Sequence, residues 1–328
     1  MDLQILAQDA YRAGLYHQGT PGVRIDANES AILARQLEFV KRTVYEVKYP
    51  EMMSRRFVPA SPEGVPAGAD TISYDEFDQV GDAKIIANFA DDLPEVDTFK
   101  VRVTGQVHWI GARYRYSLQD LQRAAFSGVP LSVRKALAAR RAIEKTIDTI
   151  IATGNSLANL PGFINNSNIT PITVTSWDAW VTNDDADDMI KFMTAGISAF
   201  FTQTMQTFQC DTVLLDPISY DILALKPRAT GSDMTVLQFI LETQRRRVPG
   251  FDIFPWHKLQ NAGAGGTISR AIFYARNPEV LSVSIPQEYT ELPPQAVDLA
   301  FRVPAYAKTA GVELHQPLAV VYADGADQ

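Results

Sequence analysis

The sequence has little of what catalysis and covalent stapling require. It holds one cysteine, Cys210, in 328 residues. An intrachain disulfide and a thiolate metal site are therefore excluded, and folding in a reducing compartment is expected. The four histidines, His17, His108, His257 and His315, are scattered. None falls into the H-x-x-H or H-E-x-x-H spacing of a zinc site. No run approaches the roughly 18–20 apolar residues of a membrane span. Met1-Asp2-Leu3-Gln4 offers neither a basic nor an apolar leader region, so no secretory signal is expected. Basic charge is scarce too: 30 Lys and Arg against 38 Asp and Glu give a net charge of −8. Dedicated nucleic-acid readers usually have a pI above about 9, so a primary role of that kind is disfavoured.

Catalytic signatures are equally thin. There is no G-x-S-x-G elbow and no Walker A loop. Gly263-Ala264-Gly265-Gly266 lacks the G-x-G-x-x-G spacing and reads as a loop tip. Cys210, beside Phe208 and Val213, reads as a small core residue. Asp184-Asp185-Ala186-Asp187-Asp188 has four carboxylates but not the glycine and glutamate of an EF-hand. It directly precedes a helical pattern, where the helix dipole favours acids, so helix capping is the stronger reading. Trp177 and Trp180 read as packing, and Arg245-Arg246-Arg247 as a solvated helix end. No catalytic residue, cofactor or metal ligand is expected.

What is present is ordinary globular composition, 46% hydrophobic and 21% charged. The length fits two domains or one large one. Charge is unevenly spread. Residues 51–100 carry eleven acids and four bases, whereas residues 101–150 carry nine bases and three acids. Such segments are commonly solvated faces. They can also attract each other, within one chain or between copies, where complementarity sets register and on-rate.

The pattern along the chain is mixed helix and strand. Residues 1–30 are broken by Gly14, Gly19, Pro21 and Gly22, leaving an extended arm with short helices over 2–12 and 31–42. Pro59, Pro62, Pro66, Gly64 and Gly68 keep 57–70 irregular. Residues 71–77 and 83–87 flank a turn and predict a hairpin too poor in large apolar residues to stand alone. Residues 98–116 alternate at period two, with bulges or tight bends expected at Gly105 and Gly111. Ser117 and Asp120 form a capping-box-like start to a helix over 118–126. Between Pro130 and Gly154 a long helix spans 131–153, with Val133, Leu137, Ile143, Ile147, Ile150 and Ile151 as one apolar stripe. Further helices are expected over 189–208, 217–225 and 236–245. Strands are expected over 212–215, 253–256, 270–274, 280–285, 297–301 and 312–322.

This order of elements resembles the HK97-fold major capsid proteins of tailed bacteriophages and the encapsulin shell proteins that share their fold. The resemblance rests on "YRYSLQDLQRAAFSGVPLSVRKALAARRAIEKTIDTIIATG" followed by "LPGFIN", on "DTVLLDPISYDILAL", and on "GVELHQPLAVVYADG". It implies an α+β, HK97-like capsid fold. Residues 1–45 would be an N-terminal arm and 46–97 an extended-loop region reaching over a neighbouring subunit. Residues 98–160 and 277–328 would form a peripheral domain with the spine helix 131–153, and 161–276 an axial domain. The function implied is self-assembly into an icosahedral shell of hexamers and pentamers around double-stranded phage DNA, held without sequence specificity. Scaffold, portal and decoration proteins are further implied partners, with no membrane. The implied location is the virion capsid, assembled in the host bacterial cytoplasm.

The unsupported acidic hairpin would then find its surface on an adjacent copy. Asp75, Glu76 and Asp78 on the hairpin, with Arg134, Arg141 and Lys145 on the spine, are the inter-subunit contact candidates. An encapsulin-type compartment is one alternative. A soluble α/β enzyme, which would carry a pocket of convergent polar groups, is the rival of a different class.

Overall fold

A computed structural model describes residues 48–85, 94–127, 131–173, 185–266 and 268–325. The elements all lie in one compact unit, Glu51–Gln328. A helical turn α1 (Ser54–Phe57) leads to strands β1 (Thr71–Val80), β2 (Asp97–Gln106) and β3 (His108–Ser117). Helices α2 (Leu118–Ser127) and α3 (Leu131–Thr153) follow, then β4 (Ile172–Thr173), α4 (Ala186–Gln203), β5 (Thr212–Leu215), α5 (Pro217–Leu225), α6 (Val236–Arg245) and β6 (Asp252–Pro255). The rest is strands: β7 (Arg270–Tyr274), β8 (Leu281–Val283), β9 (Gln287–Glu291), β10 (Gln295–Val297), β11 (Ala300–Thr309), β12 (Val312–Leu314) and β13 (Val320–Asp324). The helices expected over 2–12 and 31–42, and Trp177 and Trp180, lie outside the described residues.

Two sheets organise the unit. The larger has the order β4-β13-β7-β5-β6. Its strands β5, β7 and β13 are buried at every position, so they read as continuous apolar runs rather than alternating ones. Helix α4 packs on this sheet closely enough that a Cβ at Gly196 would sit 2.4 Å from the Phe273 ring. The second sheet is β10-β11-β3, with β9 also paired to β11. Strand β13 lies between β4 and β7 in this sheet. Its five wholly buried residues need cover on both faces, which only an interior strand receives.

Helix α3 has the expected bounds. Ile143, Ile147, Ile150 and Ile151 are buried, and Gly154 ends the helix at φ +73. Val133 and Leu137 depart from the expected stripe and are 55% and 61% exposed. The N-terminal half of the helix thus carries apolar side chains that its own body does not cover. Ser117 and Asp120 cap α2 reciprocally: the Asp120 amide donates to Ser117 Oγ at 3.0 Å and the Ser117 amide to Asp120 Oδ2 at 3.3 Å. Those bonds hold the Asp120 carboxyl below its ordinary range.

Several boundaries differ from expectation for local reasons. The strand region 98–116 is two strands, because the chain changes partner at Val107, whose amide donates to Asp70 O at 2.9 Å. Gly105 and Gly111 are not bulges; they stay in register with Ile72 and Tyr306. Helix α4 stops at Gln203, after which Met205 and Gln206 take φ of 47° and 64°. Residues 297–301 hold the turn between β10 and β11, with Asp298 at φ 55°. The long strand expected over 312–322 is interrupted by a 3-10 turn at Pro317–Ala319.

Candidate subunit-contact surfaces

The feature expected to need a partner is a hairpin, but not the one drawn from sequence. β1 pairs antiparallel with β2; of the expected partner 83–87, residues 83–85 are in no strand and 86–87 lie outside the described residues. The reason is alternation: ten residues of β2 match ten of β1 rung for rung, whereas 83–87 supply at most half as many. The result is a two-stranded ribbon whose side chains alternate between two faces.

The two faces differ in charge. On one, Asp75 receives Arg102 Nε at 2.8 Å and Lys100 Nζ at 2.6 Å, and the Lys100 ammonium lies 5.4 Å from the Phe77 ring centroid. The Arg102 and Lys100 bonds hold the Asp75 carboxyl down to about 2. On the other face the rungs are Tyr74–Val103, Glu76–Val101, Asp78–Phe99 and Val80–Asp97. Among the described residues Glu76, Asp78 and Asp97 have no cationic partner there, and Val80, Phe99 and Val101 are each more than half exposed. Asp75 is therefore already used within its own ribbon. Glu76 and Asp78 project together from the opposite side.

The foot of that second face rests on the body. The Tyr74 ring meets His315 edge-on at 4.7 Å, and Lys308 Nζ donates to Ala67 O at 2.5 Å. Burial, then the Glu76 and Glu313 carboxylates, raise the Tyr74 hydroxyl above its ordinary value. Beneath the foot lies a cavity of about 640 Å³ lined by Tyr74, Asn165, Asn166, Asn168 and Glu313 among others. Beyond the foot the ribbon carries its exposed aromatic and aliphatic side chains without cover.

Arg134, Arg141 and Lys145 are exposed on α3. At 100° per residue they share one side of the helix, with Leu137 at its border, whereas Val133 lies on the azimuth of the buried Ile151, about five turns along. The structure thus groups the basic candidates with each other and the acidic ones Glu76 and Asp78 with each other. Among the described residues no salt bridge links the two groups.

The remaining motifs are structural. Asp185 caps α4 by accepting from the Asp187 amide at 3.0 Å, while Asp187 pairs with Arg228 and Asp188 with Lys191. Cys210 is buried, and burial pushes its thiol up. Arg247 lies 3.6 Å over the Phe201 ring, and Arg246 pairs with Glu242. Among the described residues no group of three or more His, Cys, Asp or Glu could hold a metal ion, and no helix is long and apolar enough to cross a membrane.

Sequence reading missed one charged surface, formed by Arg113, Arg115 and Arg302. Arg115 sits directly opposite Arg302 in the β3–β11 register. The alternation in Arg113-Tyr114-Arg115-Tyr116 signalled that both arginines share a face. The pairing with Arg302 required the fold.

Comparison with known proteins follows this geometry. The family model described as Major capsid protein matches residues 81–326. No curated protein matches the chain significantly. Among solved structures, a chain of the capsid of Myoviridae phage XM1 superposes with a TM-score of 0.74 at 17% identity, covering 94% of this chain and 100% of that one. A chain of Mycobacterium phage Ogopogo gives 0.60 at 14% identity, covering 90% and 98%. A chain from the capsid of a native GTA particle gives 0.58 at 10% identity, covering 92% and 100%.

Proposed function

The chain belongs to the major capsid protein family, whose members build shells rather than catalyse reactions, and from that we propose that it closes an icosahedral shell of hexamers and pentamers around double-stranded phage DNA. The observation that carries the reading is the family match over 81–326. The ribbon adds support, because two strands alone bury too little to be stable in water and an exposed apolar face calls for cover. In this reading cover comes from adjacent copies, through repeated head-to-tail contacts that close by symmetry. Obligate interfaces of this kind often bury about 2,000–5,000 Å², so modest contacts sum over many copies. Residues 1–45, expected as an arm, lie outside the described residues. The extended loop runs past residue 97 to the end of β2. Of the peripheral region expected over 98–160 and 277–328, residues 98–106 go with the extended loop and the rest surrounds the spine helix, while 161–276 form the axial region.

Glu76 and Asp78 meet basic charge on the next copy, the spine's Arg134, Arg141 and Lys145 being the acceptors expected from sequence. The acidic balance suits a wall that does not grip DNA tightly. Assembly takes place in the host cytoplasm, with scaffold, portal or decoration proteins as further partners. The test is negative-stain microscopy beside sedimentation of the purified full chain. Closed shells, rings or tubes are expected, and particles from infected cells are expected to contain DNA. A monodisperse monomer at high concentration under every salt condition would overturn the proposal.

A further inference from the structure

The outer face of the β3–β11 sheet carries a charge arrangement that no described residue balances. Read by register, its rungs are Ser117–Ala300, Arg115–Arg302, Arg113–Pro304, Gly111–Tyr306 and Trp109–Lys308. Gln295 continues the Arg302 rung onto β10, and Thr290 and Gln287 continue the Tyr306 and Lys308 rungs onto β9. No rung holds a carboxylate. Among the described residues no Asp or Glu lies within ion-pair distance of Arg113, Arg115 or Arg302. Directly opposed side chains in an antiparallel pair have Cβ atoms about 5 Å apart, and like charges there destabilise the sheet. Arg302 is half-buried while Arg115 is exposed, so water only partly relieves the repulsion. Lys308 adds a buried ammonium 3.9 Å over the Trp109 ring.

The ribbon supplies the complement. Glu76 and Asp78 stand two residues apart on β1, about 7 Å, and Arg113 and Arg115 repeat at the same spacing on β3. Asp97 gives a third carboxylate for the third guanidinium. Phe99 and Val101 stand opposite Asp78 and Glu76 on the ribbon, and Tyr306, on the Gly111 rung, neighbours the Arg113 rung on the sheet. The spine matches less well: Arg134 and Arg141 are seven residues apart on a helix, about 10 Å, and nothing opposes them with like charge. We infer that Arg113, Arg115 and Arg302 are the acceptor for the acidic ribbon face of a second copy. This rests on the reading that ribbons dock on neighbouring copies, and it names the surface they reach.

The experiment is a charge exchange in the full chain, read as particle yield at low salt. Glu76→Lys with Asp78→Lys is expected to lower yield about tenfold or more, since like-charge contacts across an interface are strongly unfavourable. Arg115→Glu with Arg302→Glu is expected to do the same, and combining the two pairs is expected to restore particles. Rescue by Arg134→Glu with Arg141→Glu instead would overturn the inference while leaving ribbon docking intact. Unchanged yield with the lysine pair would overturn docking itself. Loss of nucleic acid from particles of unchanged yield in the arginine variants would overturn the inference in favour of a nucleic-acid site. Arg302→Gln gives a reading that survives poor folding of the double variant. It is expected to raise the melting temperature of the unassembled subunit while lowering particle yield, and a fall in both would assign the arginine a purely structural role.

Discussion

Asp148 sits where three parts of the chain meet. Its carboxylate accepts from the Ser54 amide at 2.9 Å and pairs with the Lys258 ammonium, and its carbonyl accepts from Ser54 Oγ at 2.9 Å. The two charged side chains are 7% and 18% exposed. Removing one partner of such a pair leaves the other charge buried and unanswered. Asp148→Ala is therefore expected to cost about 3 kcal/mol or more in urea unfolding of the unassembled subunit, whereas Asp148→Leu with Lys258→Met is expected to cost much less. A single-variant loss under about 1 kcal/mol would contradict this account. Arg270 follows the same logic at the other end of the core. It grips Asp324 with two bonds of 2.6 Å, donates to Ile164 O at 2.7 Å, and so fixes β13 to β7 and to the turn after α3.

Among elements, the bounds of α3 were legible and the ribbon only in part, for a physical reason. A helix is closed by local hydrogen bonds, so Pro130, the isoleucine spacing and Gly154 contain its bounds. Strand pairing is non-local, and period two is satisfied by any neighbouring strand. Residues 83–87 are nearer to β1 in sequence, yet β2 offers ten rungs. The same limit hid the charge distribution. A count that divides the chain at residue 100 separates Asp75 from Arg102, although the two are bonded. That bond also gives the ribbon an acid-sensitive step. The Asp75 carboxyl is held at about 2 by Arg102 and Lys100, below an unfolded value of about 3.9. Its contribution is complete above about pH 5 and is lost as pH falls from about 4 to about 2. Hydrogen exchange of the β1 and β2 amides, corrected for intrinsic rates, is expected to accelerate over that range. The Asp75→Asn variant is expected to lack the step, and an identical profile in the variant would refute the assignment.

At the scale of the molecule, packing is uneven. The sheet containing β5, β7 and β13 is buried throughout, while β2 is exposed or half-exposed along its whole length. Local stability follows buried contact. In free subunits the ribbon amides are expected to exchange orders of magnitude faster than those of β5 and β7. Assembly is expected to protect the ribbon, with little change in the core sheet. A ribbon as protected in free subunits as in particles would mean that it is stabilised within its own chain. The fold class was legible because each sheet's apolar pattern is written in its strands. The contact surfaces were not, because Arg115 and Arg302 come from distant stretches that only the β3–β11 register brings together.

The single residue Val107 between β2 and β3 has a mechanical consequence. Tension on the ribbon passes along covalent backbone straight into β3, with no loop to take up slack. There it meets the ten paired residues of β3 and β11 along their length, so the ladder is loaded in shear and its bonds share the force instead of opening one by one. A wall assembled from such units would carry outward load through its strongest direction, from one copy's ribbon into the next copy's sheet.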